Sequence, residues 1–312
     1  MGMDMAAIVQ NKVVIMFVML LIGVLCAKVG LIDEATNRKL SSLSLMLVSP
    51  LLMFSSYQID FRPEMVRNLG ISLMLSAICF AVEILISYVL IPAKRNASSN
   101  IERIAMIYSN CGFIGIPLAE SLYGKEGVFY ISVYITVFNL LLWTQGVILM
   151  TGKAGGVKQM LKNLCTPTIF AILLGLFCFL TQIRLPSVVL EPIEAIGGMN
   201  TPLAMLVAGA TLAHSNLLPC LRHRRIYVLS AIKLLLIPAA AVLITCWMPF
   251  EPMLLMLPLL STACPTGASG TMFALRYNGD SALASQIFAV TTAFSIVTIP
   301  LIVRLCAMTG IL

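Results

Sequence analysis

The sequence predicts an all-α polytopic membrane protein: ten transmembrane helices arranged as two inverted five-helix repeats, with broken helices 4 and 9 crossing each other. Three observations carry this prediction. Hydrophobic residues make up 60% of the 312 residues and charged residues 11%, with a mean hydropathy of +1.00, whereas a soluble domain carries roughly 25% charge. Apolar runs of about 20 residues, long enough to cross the hydrocarbon core of a bilayer, alternate with short polar or turn-rich stretches. The chain also matches itself at offsets near 150 residues.

Helix 1 is predicted over about 6–29, too long and too uninterrupted for a signal peptide and without a small-x-small cleavage site. Helix 2 covers about 40–57 and is kinked by Pro50; helix 3 covers about 69–91 and is stopped by Pro92. Helix 4, about 101–123, is interrupted between Asn110 and Pro117, and helix 5 follows at about 127–151. The basic link 152–163 leads to helix 6 at about 164–181 and helix 7 at about 193–213, which contains Pro202. Helix 8 covers about 226–247, helix 9 about 253–275 and helix 10 about 281–308.

A shift of 152 residues lays Gly23 on Gly175 and Pro50 on Pro202; a shift of 155 lays Gly112, Gly115 and Gly124 on Gly267, Gly270 and Gly279. A shift of 150 lays Glu83 on Lys233. These matches divide the chain into a first five-helix repeat (1–151), a cytoplasmic linker (152–163) and a second repeat (164–312). Five is odd, so the second copy enters the membrane upside down, as in many secondary transporters. Thirteen Lys and Arg residues fall on the side of the linker and six on the other, with Lys233 inside a helix. By the positive-inside rule the linker is cytoplasmic, and both termini lie on the outer side of the cell membrane.

The net charge of +7 belongs to these short loops and implies no nucleic-acid partner. The nine cysteines are scattered singly, without metal-ligand spacing, so no metal or other cofactor is expected. Neither a His-Glu-x-x-His zinc motif nor a phosphate-binding loop occurs, and no enzyme activity is expected.

The two interrupted helices are the informative pair. Helix 4 reads YSNCGFIGIPL over Tyr108 to Leu118, and helix 9 reads TACPTGASGTM over Thr262 to Met272, with Gly-x-x-Gly in register under the repeat. Each break produces a half-helix whose first N–H groups are free and whose dipole end is positive, a setting suited to a carboxylate. Broken backbone at bilayer depth survives only inside protein or against a wet cavity. The alternative, that glycines and a proline serve packing and kinking alone, holds for many single segments; two at corresponding repeat positions favour a site.

Glu83 and Lys233 sit deep in apolar spans at a similar distance from the cytoplasmic edge. They read either as an ion pair bracing the two repeats or as carriers of a coupling proton or a substrate counter-charge. Asn139, Gln145 and Gln286 read as interhelical hydrogen-bonding residues in preference to the alternative that they line the cavity, and Tyr57, Trp143 and Trp247 as anchors at the membrane interface.

The runs YSNCGFIGIPLAESLYGKEGV, NTPLAMLVAGATLA and STACPTGASGTMFALRY resemble the auxin efflux carrier family in its short bacterial branch, related to malate and malonate carriers, across essentially the whole chain. The resemblance implies a scaffold of helices 1, 2, 6 and 7, a transport unit of helices 3–5 and 8–10, elevator-like movement and a homodimer. It places substrate contacts on Asn110, Cys111, Gly112, Gly115 and Pro117 in helix 4. In helix 9 the corresponding positions are Cys264, Pro265, Thr266, Gly267, Ser269 and Gly270. Asn110, Thr266 and Ser269, with backbone amides at Gly112 and Gly267, are the principal candidates, and Ser49 and Thr201 contribute from the scaffold. Plant members carry Asn-Pro-Asn-Thr at the helix 4 crossover, where this chain has Ser109-Asn110-Cys111-Gly112, which argues against auxin itself. The expectation is therefore a secondary active transporter of a small organic anion, a carboxylate, coupled to protons or sodium and working by alternating access. The alternative is a monovalent-cation/proton antiporter of related fold, which would need more intramembrane carboxylate than Glu83 supplies.

Overall fold

The computed structural model describes residues 2–91, 97–152, 165–214, 224–277, 279–309 and 311. The predicted linker beyond residue 152 and the basic loop after His214 lie outside the described residues. Within them every regular element is a helix. In order these are α1 (Gly2–Lys28), α2 (Glu34–Ser56), α3 (Pro63–Leu90), α4 (Ala97–Ile107), α5 (Cys111–Thr151) and α6 (Pro167–Leu180). The chain continues through α7 (Ser187–His214), α8 (Arg224–Thr245), α9 (Pro252–Ala263), α10 (Ser269–Arg276) and α11 (Ser281–Met308). Six of them, α2, α3, α5, α7, α8 and α11, are long and apolar enough to cross a membrane.

Local sequence explains the boundaries. Pro63, Pro167 and Pro252 occupy the first turns of α3, α6 and α9, where a missing N–H costs nothing. Asp33 caps α2 by accepting the Thr36 N–H at 2.7 Å, a bond that also holds its carboxyl below the usual carboxylate range. Asp280 caps α11 through the Leu283 N–H at 2.9 Å. Three of the four one-turn π segments among the described residues, Ser44–Val48, Cys111–Gly115 and Ile232–Leu236, end two residues before a proline, namely Pro50, Pro117 and Pro238; the fourth, Leu142–Gly146, does not. A proline ring crowds the carbonyl four residues earlier, and a widened turn relieves that crowding. The connection expected between about 123 and 127 is a bend at Gly124, whose φ of 59° and ψ of −144° favour a residue without Cβ.

Apolar side chains cover the exterior as well as the core, and many polar side chains are turned inward and bonded, as a lipid solvent requires. Phe170, Leu173 and Phe177 form an exposed stripe on α6, while Ser76, Thr245 and Ser261 are buried with hydroxyls bonded to carbonyls of their own helices. The most extensive helix pair is α1 on α7. Its closeness depends on Gly209, where an added Cβ would lie 2.0 Å from the Leu20 carbonyl oxygen. Trp247 is exposed, in keeping with an interfacial anchor, and Trp143 packs on Phe273. Tyr57 departs from that expectation. It is 2% exposed, rests on Phe129 and shares a 2.5 Å hydrogen bond with Ser132, because α6 and α5 close over the end of α2.

Candidate functional site

The two broken segments meet. Between α4 and α5 the chain is extended at Ser109, between α9 and α10 it is extended at Thr266, and these residues form an antiparallel bridge. The Asn110 N–H donates to the Pro265 carbonyl at 2.7 Å, and the Gly267 N–H donates to the Tyr108 carbonyl at 2.9 Å. Each break thereby satisfies backbone groups of the other, which is how non-helical chain is tolerated at this depth. Gly267 is needed for the approach: a Cβ there would lie 3.1 Å and 3.2 Å from the carbonyl oxygens of Ser109 and Tyr108. Side chains secure the crossing. Thr266 Oγ1 donates to the Ala105 carbonyl at 3.0 Å, and its N–H donates to Thr291 Oγ1 on α11 at 3.2 Å.

Asn110 is the N-cap of α5, its Oδ1 accepting the Phe113 N–H at 3.4 Å. Its Nδ2 is buried without a partner, and so is Ser269 Oγ at the start of α10. Gly112, in the first turn of α5, faces open space: a Cβ there would meet nothing within 4 Å. The expected ligand amide at Gly267 is already engaged by Tyr108, whereas the N–H of Gly112 belongs to a first turn and has no intrahelical acceptor. Cys111 and Cys264 are buried on either side of Gly115, 3.3 Å (Cβ) and 3.6 Å (Sγ) from where its Cβ would stand. Pro117 stays in the first turn of the helix beyond the π segment, and Gly270 approaches Ile104.

One to two turns along α5 from the crossing runs a narrow apolar crevice with a volume of about 30 Å3, lined by Phe17 of α1, Ile114 and Leu118 of α5, Met205 of α7 and Ile299 of α11. Ile114 and Leu118 lie four and eight residues after Asn110, on the same face of α5. Thr292 of α11 also lines the crevice, and its Oγ1 is buried without a partner. The crossing itself offers neutral donors, at Asn110 Nδ2 and Ser269 Oγ.

Glu83 and Lys233 form an ion pair at 3.0 Å, both fully buried. Lys233 Nζ also donates to Ser109 Oγ at 2.6 Å and to the Met106 carbonyl at 2.9 Å, so all three of its protons have acceptors. Glu83 also accepts from Ser109 Oγ at 3.2 Å and from Tyr134 OH at 3.4 Å. The ammonium sits at the C-terminal end of α4, where the helix dipole favours a cation. The pair thus braces the crossing from behind.

Ser49 and Thr201 are not brought onto the crossing. Ser49 Oγ donates to Asn200 Oδ1 at 2.7 Å, and Thr201 Oγ1 donates to Glu120 Oε2 at 3.3 Å. Gln145 bonds between helices, accepting from Tyr108 OH at 2.5 Å, while Asn139 bonds the Ile135 carbonyl of its own helix. Sequence reasoning missed Glu120 as an acid, because its nearness to Gly124 and Lys125 placed it at a helix end; it is partly buried, between α5 and α7. Tyr134 and Thr291 were missed as well, since hydroxyls in apolar helices carry no distinguishing pattern.

A family model described as membrane transport protein matches residues 8–303. The chain is also 26% identical over 304 residues to an uncharacterized transporter of Methanothermobacter thermautotrophicus, covering 93% of this chain and 96% of that relative. With helices fit to cross a bilayer and a match over nearly its whole length, the chain belongs to the membrane transport protein family that includes the auxin efflux carriers.

Proposed function

We propose that this protein is a secondary active transporter that moves a small organic anion with a carboxylate head across the cell membrane by alternating access. The observation that carries this reading is the crossing at Ser109 and Thr266. Two half-helix starts converge there, with the Asn110 amide donor and the Ser269 hydroxyl buried and unpartnered and Gly112 facing open space. Such neutral donors at helix N-termini suit an anionic head.

In this reading α4 with the first turns of α5, up to Gly124, makes one interrupted crossing, and α9 with α10 makes its inverted counterpart. The remaining helices complete two five-helix repeats, 1–151 and 164–312, around the 152–163 linker, with both termini outside. The crossing moves with α3, α5, α8 and α11 against a scaffold of α1, α2, α6 and α7, in a homodimer. The antiporter alternative assigns ion carriage to Glu83, and the closed bonding of Glu83 with Lys233 favours the anion reading over it.

The test is a thermal-shift panel of monocarboxylates, dicarboxylates, aromatic acids and amino acids on the purified protein, since a ligand that binds only the folded state raises its apparent stability. A hit that also exchanges in counterflow across proteoliposomes supports the proposal. Cation-driven proton flux without any organic anion would replace it by the antiporter.

A further inference from the structure

We propose that Glu120 is the carboxylate through which the carrier binds its coupling proton; this rests on the transporter reading above. Glu120 lies on α5, ten residues beyond Asn110 and therefore about 15 Å along the helix, and five residues before Lys125. Its carboxylate reaches across to α7, where Thr201 Oγ1 is its hydrogen-bond donor at 3.3 Å.

Among the described residues no cation forms an ion pair with it. Lys125, on the same helix, is bound to Glu194 of α7, and Arg62 of the α2–α3 connection is bound to Glu126. Lys12 of α1 and Arg67 of α3 make no ion pair with Glu120 among the described residues. Neither do the phenols that share these elements supply a bond: Tyr57 of α2 is paired with Ser132, and Tyr123 of α5 makes no hydrogen bond to Glu120.

Helix ends make the charge state depend on position. Glu120 occupies the last turn of α5 before the bend at Gly124, where the dipole disfavours an anion. Thr201 opens the second segment of α7, which restarts at Asn200 after a turn at 198–199, and a helix start favours an anion. A charged Glu120 is therefore held while it rests on Thr201, and loses that support when it leaves. Since α5 begins at the crossing and α7 is locked to α1 at Gly209, movement of the crossing against that pair breaks the Glu120–Thr201 contact. Protonation removes the charge that the apolar flank of α7 would otherwise have to accept. Glu83, by contrast, keeps its cation inside the moving unit in either position.

The experiment is infrared difference spectroscopy on the reconstituted full-length protein between about pH 8 and pH 6, a range in which ordinary carboxylates stay ionised. The wild type is expected to develop the carbonyl band of a protonated carboxylic acid as pH falls. That band should vanish in Glu120→Gln, which keeps an acceptor for Thr201, and persist with a displaced midpoint in Glu120→Asp. It should remain in the Glu83→Gln, Lys233→Met double variant. Absence of the band from wild type, its survival in Glu120→Gln, or its loss in the double variant instead would each overturn the proposal. Counterflow of labelled carboxylates in the same vesicles judges the transporter reading separately, because the band needs no substrate.

Discussion

Replacing Lys233 with Met should be among the most damaging single changes. The substitution keeps the apolar length of the side chain but removes three charge-assisted hydrogen bonds, at 3.0 Å to Glu83, 2.6 Å to Ser109 and 2.9 Å to the Met106 carbonyl. It leaves a fully buried carboxylate without a cation, a loss of about 3–5 kcal/mol. The orphaned carbonyl at the end of α4 adds on the order of 1 kcal/mol or more. Glu83→Gln should cost less, because the amide can still accept from the ammonium and the Ser109 and Met106 contacts survive. At roughly 2 °C per kcal/mol for a chain of this size, Lys233→Met should lower the unfolding midpoint by about 8–12 °C in detergent at a fixed scan rate. The Glu83→Met, Lys233→Met double variant should recover most of that loss, since well-packed apolar replacements of a buried pair are often neutral. A single-variant shift below about 2 °C, or a double variant worse than either single one, would refute the idea that the pair braces the crossing.

The two glycines of the crossing should separate structure from binding. Gly267→Ala forces a Cβ to 3.1 Å and 3.2 Å from two carbonyl oxygens and should destabilise by about 1–3 kcal/mol, read as a lower unfolding midpoint; Gly112→Ala enters open space and should leave stability unchanged while weakening ligand-induced stabilisation. Gly209→Leu should abolish recovery of folded protein after membrane extraction, because its Cβ alone would stand 2.0 Å from the Leu20 carbonyl oxygen. Charge reversal at the partly exposed Lys125–Glu194 pair should cost about 0.2–1 kcal/mol, and the Lys125→Glu, Glu194→Lys swap should restore the midpoint at low salt.

Much of the scaffold could be read from spacing. Pro50, Pro117 and Pro238 mark perturbed turns wherever they fall in an apolar run, and Asn110 to Pro117 and Cys264 to Gly270 stand out because glycine and proline interrupt sequence that should be continuous. The similar distance of Glu83 and Lys233 from the cytoplasmic edge anticipated two charges at one level, and the ion pair is there. What spacing could not supply is register across the breaks. The glycines align at an offset of 155, yet Ser109 pairs with Thr266, and this pairing engages the Gly267 amide, which the isolated motif had left free for a ligand. Tyr57 and Glu120 were misplaced for a related reason. Position along a helix indicates nearness to a membrane edge, but burial there depends on which neighbour packs over it, here α6 over Tyr57 and α7 against Glu120.

Asn110→Asp tests the central claim most directly. Aspartate caps a helix as well as asparagine does, so the bond to the Phe113 N–H is kept, while the unpartnered Nδ2 donor becomes an anionic oxygen. The measurement is the rise in unfolding midpoint produced by the best carboxylate of the thermal-shift panel, compared between wild type and variant. If the crossing binds the anionic head, the carboxylate raises the midpoint of the wild type and leaves that of the variant where it stands without ligand, whatever the buried aspartate itself costs in stability. Equal stabilisation of both proteins would contradict an anion site at Asn110.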